Sequence, residues 1–475
     1  AERDRLLLHV RLPVAVAVSG GADSIALMHL VAGWARGTGR SGTVPSGIPP
    51  VLVITVDHGL RPESASEAEW VGRQAERLGL AHVTLRWVGP KPLTGIQEAA
   101  RAARYSLVCE HVGRELLPLP RQVLLAHHLD DQAETVLMRL ARGSGVDGLS
   151  GMREAEQRIW LRLTHPIEER SIELLRPLLS LPRSRLEATL AAVGAEWLED
   201  PSNADVRYER VRLRAAGRER QALGLATDML ALTARRLASA RQALEMAQHD
   251  LARAAVDLHH GAWASIDGQA FLEAPQELAV RLLRSVIGAF GAKAGPPSRA
   301  QVEDVVERLR SPGASAMTMG GTVIEPNFRP RAGGARRAPV VAVYREPGRR
   351  PLPKALLKPG QGIFWDRRFY LSLAPEFGKV VRVEALGKVG FARLKRTYSA
   401  LRQLSIPATA AAGLPALWAG DQLLAVAGLS AAEPDLLGPA GKDGQLMLEA
   451  RFAPQHVRAI MGPQGQEPTP LGFSP

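Results

Sequence analysis

The six residues Ser19-Gly20-Gly21-Ala22-Asp23-Ser24 join an apolar run at 14–18 to an amphipathic pattern that begins near Ser24. Two adjacent glycines permit close backbone approach, and a helix starting here directs free N–H groups and its positive end at whatever occupies the turn. The two hydroxyls add donors, so the pocket suits a phosphate. The G-x-x-x-x-G-K-[ST] spacing and its lysine are absent, and so is G-x-G-x-x-G. A pyrophosphate-shaped loop with no lysine aimed at a γ-phosphate points to chemistry at the α-phosphate of ATP, with AMP and pyrophosphate as products. A bare Ser/Gly turn would be an ordinary loop; strand, motif and helix together make it a nucleotide site.

Further strand-like runs at 51–56, 82–88 and 123–126 alternate with helical patterns. This predicts an α/β fold whose parallel sheet is flanked by helices, with ligand at the C-terminal strand ends. Residues 37–50 and 116–120 read as loop and break. After 214 the texture becomes Ala/Leu/Arg helix. Leu230, Leu237, Leu244, Leu251 and Leu258 recur every seven residues, a seam that suits either a bundle helix or the coiled coil of a homodimer. The Pro/Gly/Arg-rich stretch 328–353 reads as linker and loop, and runs such as 362–373 and 414–429 predict a small mixed α/β domain. The expected division is 1–216, 217–328 and 329–475, in keeping with 475 residues and 46% hydrophobic content.

The net charge of +12 is concentrated: residues 329–403 carry 18 Lys+Arg against 4 Asp+Glu, whereas 1–216 carry 27 against 26 and 217–328 carry 12 against 12. A single strongly basic segment favours a polyanion partner over a merely solvated surface. Arg336, Arg337, Arg349 and Arg350 are its candidate contacts. A single cysteine, Cys109, precludes an intramolecular disulfide and any Cys-cluster metal site, which fits a reducing cytoplasm. No apolar run approaches the ~18 residues of a membrane span. Arg11 interrupts the one early stretch that resembles a signal core, and because the chain opens at Ala1, a few native residues are expected to precede it.

Two more segments fall at predicted strand ends and should converge on the phosphate loop. One is Asp57-His58-Gly59-Leu60-Arg61; the other is His127-His128-Leu129-Asp130-Asp131-Gln132-Ala133-Glu134. If a helix opens near Asp130, Asp131 and Glu134 share a face and suit Mg²⁺, a substrate ammonium or a transferable proton. A transition-metal site from His127, His128 and Asp131 is the rival, and helix capping is the plain alternative for the two aspartates. Arg101 and Arg104 are i,i+3 neighbours on a helix, fit for ATP or RNA phosphate or for ordinary solvation. Arg142-Gly143-Ser144-Gly145 is a second flexible, basic turn, suited to a phosphate contact or, taken alone, to an ordinary helix C-terminus with Gly143 at the stop.

In order, these segments resemble one family, the tRNA(Ile)-lysidine synthetases of the PP-loop ATP pyrophosphatase superfamily. The resemblance runs through SGGADS, VDHGLR (56–61), EAARAARY (98–105), AHHLDDQAETVLMRLARGSG (126–145), GLSGM (148–152), LLRPLL (174–179) and WLEDPSNADVRYERVRLR (197–214). It is strong over 14–214 and weaker beyond. One position departs: the family usually has Arg-Asn where this chain has Arg210-Val211.

The resemblance implies a PP-loop catalytic domain, then a helical and a mixed α/β domain, and ATP-dependent ligation of L-lysine to the wobble cytidine of the CAU anticodon of tRNA(Ile). By that analogy the cytosine 2-oxo group attacks the α-phosphate, pyrophosphate leaves, and the lysine ε-amine displaces AMP. Ser19, Gly20, Gly21, Ala22, Asp23, Ser24, Asp57, His58 and Arg101 are then the ATP set, with Asp23 toward Mg²⁺. His127, Asp131 and Glu134 would orient lysine, Asp131 being a candidate base. Arg104 and Arg207 join the basic segment as tRNA contacts. Two alternatives are a PP-loop tRNA thiolase, which a lone Cys109 does not suit, and a non-catalytic RNA-binding relative.

Overall fold

The computed structural model describes residues 6–37, 48–92, 94–115, 121–199, 207, 209–259, 261–293, 295–329, 331–332, 335–336, 339–348, 351–398, 400–403, 406–429 and 448–462. The chain divides into two compact units, one of residues 1–160 and 170–242, the other of 161–169 and 243–475.

In the first unit the order is β1 (Val14–Ala17), α1 (Ala22–Gly37), β2 (Val51–Asp57), α2 (Ser64–Arg77), β3 (Ala81–Arg86), α3 (Ile96–Glu115), β4 (Gln122–Leu124) and α4 (Leu129–Leu140). Then come α5 (Val146–Leu149), β5 (Ala155–Arg162), β6 (Glu168–Leu175), α6 (Arg183–Ala192), α7 (Glu209–Ala215), α8 (Gly217–Ala222) and α9 (Thr227–Ala255), of which β5, β6 and α9 each have residues in both units. The sheet order is β3-β2-β1-β4-β6-β5, and the pairs β1–β2, β2–β3, β1–β4 and β4–β6 are parallel.

Alternation along these strands builds two cores. Val14, Val16, Val51, Val53 and Leu124 pack with Ile25, Leu27 and Met28 of α1, while Ala15, Leu52, Ile54 and Val123 face Val108 and Val112 of α3. A strand buried on both faces reads as a continuous apolar run, which is why the runs of β1, β2 and β4 are legible. Successive connections leave β1 toward β2 on one side and β4 on the other. The C-terminal ends of β1 and β4 therefore flank the topological switch point, where an open α/β sheet has its crevice.

Only Leu230 of the leucine heptad is buried on α9. Ala234, Arg241, Gln248 and Ala255, also seven apart, are the continuous buried line; of the leucines, Leu230 is buried against Ala133 and Val136, Leu237, Leu244 and Leu251 are half-buried, and Leu258 lies in the strand Val256–His259. Packing selected this face because its polar members find partners: Arg241 donates to Ser150 Oγ, and Gln248 Nε2 to the Ile460 carbonyl at 2.9 Å.

In the second unit a five-stranded sheet is ordered Val256–His259, Trp263–Asp267, Val340–Arg345, Thr322–Phe328, Met317–Met319, with helices Gln276–Phe290 and Arg299–Arg310 in the same apolar core. A four-stranded sheet (Ala355–Leu357, Val381–Ala385, Pro415–Ala419, Gln422–Val426), a three-stranded sheet (Gly362–Trp365, Phe369–Leu373, Leu448–Phe452) and the two-stranded pair Arg331–Ala332 and Ala335–Arg336 complete it. The structure thus groups residues differently from a division at 328: the strand Trp263–Asp267 pairs directly with Val340–Arg345. Long-range strand pairing of this kind leaves no local sequence signal.

Some of the basic excess of 329–403 is internal. Arg368 is fully buried, and it and Arg345 both pair with Asp366, at 2.8 and 3.0 Å. Arg337, Arg349, Arg350 and the Arg336 side chain lie outside the described residues. Among the described residues no helix is long and apolar enough to cross a membrane.

Candidate active site

The turn after β1 is tied by one hydroxyl. Ser24 Oγ accepts from the Ser19 backbone N–H at 3.2 Å and donates to the Gly21 carbonyl at 2.9 Å, which folds residues 19–24 back over the start of α1. Gly20 has φ +93°, and a Cβ there would meet Leu198 Cδ1 at 2.9 Å. Its carbonyl accepts from the Leu198 N–H at 2.9 Å, so the glycine lets chain from after α6 close against the loop. The backbone around Gly21 stays open, since the nearest atom to a Cβ there is Ser19 Oγ at 4.0 Å.

Across the switch point, α4 opens at Leu129, as expected. Asp131 accepts from the His128 backbone N–H at 3.1 Å, and Asp130 from the Arg183 N–H at 2.9 Å. The capping alternative for both aspartates is therefore correct as far as it goes, but the same Oδ2 atoms also face His128. His128, only 1% exposed, has Nε2 at 3.4 Å from both Asp23 Oδ2 and Asp131 Oδ2, and Nδ1 at 3.4 Å from Asp130 Oδ2. These are ion-pair contacts, too long for tight hydrogen bonds. Burial opposes the imidazolium, but Asp130, Asp23 and Asp131 outweigh it and raise the His128 pKa to about 10. Reciprocally, His128 holds Asp130 down at about 2, and it lowers Asp23 against the effect of burial.

His127 has the opposite character. Burial, reinforced by Arg176, Arg101 and Arg210, lowers it to about 3, so it is a neutral imidazole, and its Nδ1 is buried without a partner. Two adjacent histidines in such different surroundings do not make a shared metal site. Among the described residues, no group of three His, Cys, Asp or Glu could hold a metal ion. Magnesium asks less of a protein, usually one or two carboxylates plus substrate phosphates. Asp23 fits that demand, because its Oδ1 is buried without a hydrogen-bond partner at the edge of the phosphate turn.

Asp131 and Glu134 share a face, as their spacing predicts, and one guanidinium spans both. Arg214 of α7 donates through Nε to Glu134 Oε1 at 2.5 Å, and through Nη2 to Glu134 Oε2 at 3.2 Å and Asp131 Oδ1 at 3.4 Å. Glu134 is 2% exposed, and burial raises its pKa despite Arg214. Val211 lies half-buried on α7, and nothing in the structure explains valine there. The basic turn serves the same helix: Arg142 pairs with Glu209 at 2.5 Å. Gln132 fixes the other flank, donating to the Met152 carbonyl at 3.0 Å and accepting from its N–H at 2.6 Å. Gly151, at φ +67°, admits that amide, since a Cβ would meet Gln132 Oε1 at 2.6 Å.

The β2 segment stands beside α3. Asp57 is capped by the Gly59 N–H at 2.9 Å, and His58 Nε2 accepts from Arg104 Nε at 3.3 Å. Burial and Arg104 lower His58 to about 4. Arg101 is exposed and donates to Tyr105 Oη at 3.2 Å. Arg207 is exposed, and its carbonyl accepts from Arg212 at 2.9 Å. The structure thus joins Asp23, Asp131 and Glu134 in one charged cluster with three residues that sequence reasoning leaves out of the site: His128, Arg183 and Arg214. The His128 signal is present in the HHLDD run; Arg183 has no local signal. Cys109 on α3 is half-buried, and burial pushes its thiol up to about 11, which disables it as a sulfur carrier at neutral pH.

Residues 9–217 match the PP-loop domain family. The chain is 38% identical over 421 residues to the tRNA(Ile)-lysidine synthase of Ruegeria pomeroyi, covering 87% of this chain and 88% of that one. It is 42% identical over 322 residues to the tRNA(Ile)-lysidine synthase of Rhodopseudomonas palustris, covering 66% of this chain and 87% of the relative. Among solved structures, the U34-tRNA thiolase NcsA of Methanococcus maripaludis aligns over 50% of this chain and 76% of its own, at 14% identity and TM-score 0.37.

Proposed function

We propose that this chain, which belongs to the tRNA(Ile)-lysidine synthase family, uses its first unit to adenylate the wobble cytidine of a CAU anticodon and to ligate L-lysine to it. The observation that carries the reading is the convergence of the Ser19–Ser24 turn and the Asp131/Glu134 pair at one switch point, bridged by His128. ATP chemistry and amine chemistry then share a crevice.

In this reading the N–H groups of the turn, with Ser19 and Ser24, cradle the pyrophosphate, and Asp57, His58 and Arg101 line the nucleotide. The cytosine 2-oxo group attacks the α-phosphate and pyrophosphate departs. Magnesium, when bound, would neutralise charge on the departing phosphates, and Asp23 is the residue placed to hold it. The lysine ε-ammonium rests on Asp131 and Glu134 and must lose a proton before its nitrogen attacks the activated ring carbon and expels AMP. Glu134 suits that proton best, because burial raises its carboxyl, and His127 is assigned to orient the lysine as a neutral imidazole. Arg104, Arg207 and the basic 329–403 segment, Arg336, Arg337, Arg349 and Arg350 included, are assigned to tRNA, and the enzyme to the cytoplasm.

The test is pyrophosphate release. It should require the CAU-bearing isoleucine tRNA and ATP but not lysine, whereas AMP release should require all three. Pyrophosphate release with ATP alone, or none under any condition, would refute the reading.

A further inference from the structure

Arg214 does to Asp131 and Glu134 what a substrate ammonium would have to do. Its guanidinium lies 2.5 and 3.2 Å from the two oxygens of Glu134 and 3.4 Å from Asp131 Oδ1. Glu134 is 2% exposed, so it has little room for a second cation while Arg214 remains. Two unpaired carboxylates this close in a buried place would repel each other and be costly to leave ionised. Arg214 removes that cost in the lysine-free protein.

The arm that carries Arg214 is short and lightly held. Helix α7 is seven residues, has no buried residue, and hands over to the six-residue α8, which has none either. Two of its ties are ion pairs, Glu209 to Arg142 in the turn after α4, and Arg214 to Glu134 on α4 itself. Because neither helix buries a residue, the arm can withdraw without opening an apolar core.

We propose that Arg214 is an intramolecular occupant of the ammonium subsite, which incoming L-lysine displaces and which returns when the product leaves. The inference rests on the assignment of Asp131 and Glu134 to the lysine ammonium. It makes lysine affinity the difference between two cations competing for one carboxylate pair, and makes withdrawal of α7 part of lysine binding. Between turnovers the pair stays neutralised and closed to stray amines.

Equilibrium dialysis of labelled L-lysine against the full chain with ATP present, at pH 8, tests this with three variants. Arg214→Met deletes the competing charge and should bind lysine about five- to tenfold more tightly than the parent. Arg214→Lys keeps a competing cation and should stay near the parent. Glu134→Gln should bind several-fold more weakly. Unchanged or weaker binding in Arg214→Met, with Glu134→Gln weakened, would overturn the competition while leaving the subsite assignment intact; unchanged binding in Glu134→Gln would overturn both. Should Arg214→Met fail to fold, the parent supplies the second readout. Saturating lysine should speed hydrogen exchange in residues 209–222, and equal or slower exchange there would overturn the proposal.

Discussion

His128 Nε2 stands 3.4 Å from Asp23 Oδ2, so a single buried nitrogen joins the helix that carries the phosphate turn to the helix that carries Asp131 and Glu134. Because the same ring reaches Asp130 through its other nitrogen, one protonated side chain sets the separation of the two halves of the site.

That charge has a pH signature. The His128 pKa rises from an ordinary 6.5 to about 10 on folding, so its contribution to stability is complete below about 6.5 and is lost as pH climbs through about 10. Asp130, lowered to about 2, contributes in the opposite sense, fully above its ordinary 3.8 and lost on acidification through about 2. Thermal unfolding of His128→Gln should show a lower Tm than the parent near pH 7 and a smaller decline from pH 7 to 10. Parallel curves for the two proteins would contradict the assignment.

Ser24→Ala removes the atom that ties the Ser19 N–H to the Gly21 carbonyl, and Asp23→Ala removes the carboxylate beside it. Each should abolish pyrophosphate release while tRNA affinity stays within a few-fold. The stability cost of losing the Ser24 bonds should be about 1–3 kcal/mol. Pyrophosphate assays and tRNA binding on the same preparations check both halves.

Gly20→Ala should cost about 1–3 kcal/mol and impair ATP use, because alanine at φ +93° is strained and its methyl presses on Leu198. Calorimetry with an ATP titration reads this directly. A parental Tm and unchanged ATP dependence would mean the turn tolerates a side chain.

Asp131→Asn should raise the lysine KM and let adenylated tRNA accumulate, since it preserves shape but weakens the hold on an ammonium. Single-turnover assays that separate pyrophosphate release from AMP release would locate the defect; equal slowing of both would place Asp131 in the first step instead.

Neutralising Arg336, Arg337, Arg349 and Arg350 together should weaken tRNA binding and flatten its salt dependence by about 0.7–0.9 in log K per log salt for each phosphate that is no longer neutralised. Adenylation at saturating tRNA should survive. An unchanged salt slope would shift RNA binding elsewhere, and Arg345 and Arg368, already committed to Asp366, would not be the place to look.

The chain's own order of residues is enough to reveal the phosphate turn, the alternating strands and the helix that sets Asp131 and Glu134 on one face, because each depends on neighbours within a turn or two. It cannot reveal the partners. Arg183 reaches Asp130 from 53 positions away and Arg214 reaches Glu134 from 80. Nor can it separate His127 from His128: of two identical, adjacent side chains, burial reinforced by arginines holds one down at about 3, and carboxylates that outweigh burial raise the other to about 10. The leucine seam, of which the structure fully buries only Leu230, has the same origin. Periodicity states that a helix has a face, but which face is buried depends on what packs against it, and Arg241 and Gln248 are buried because Ser150 and the Ile460 carbonyl receive their hydrogen bonds.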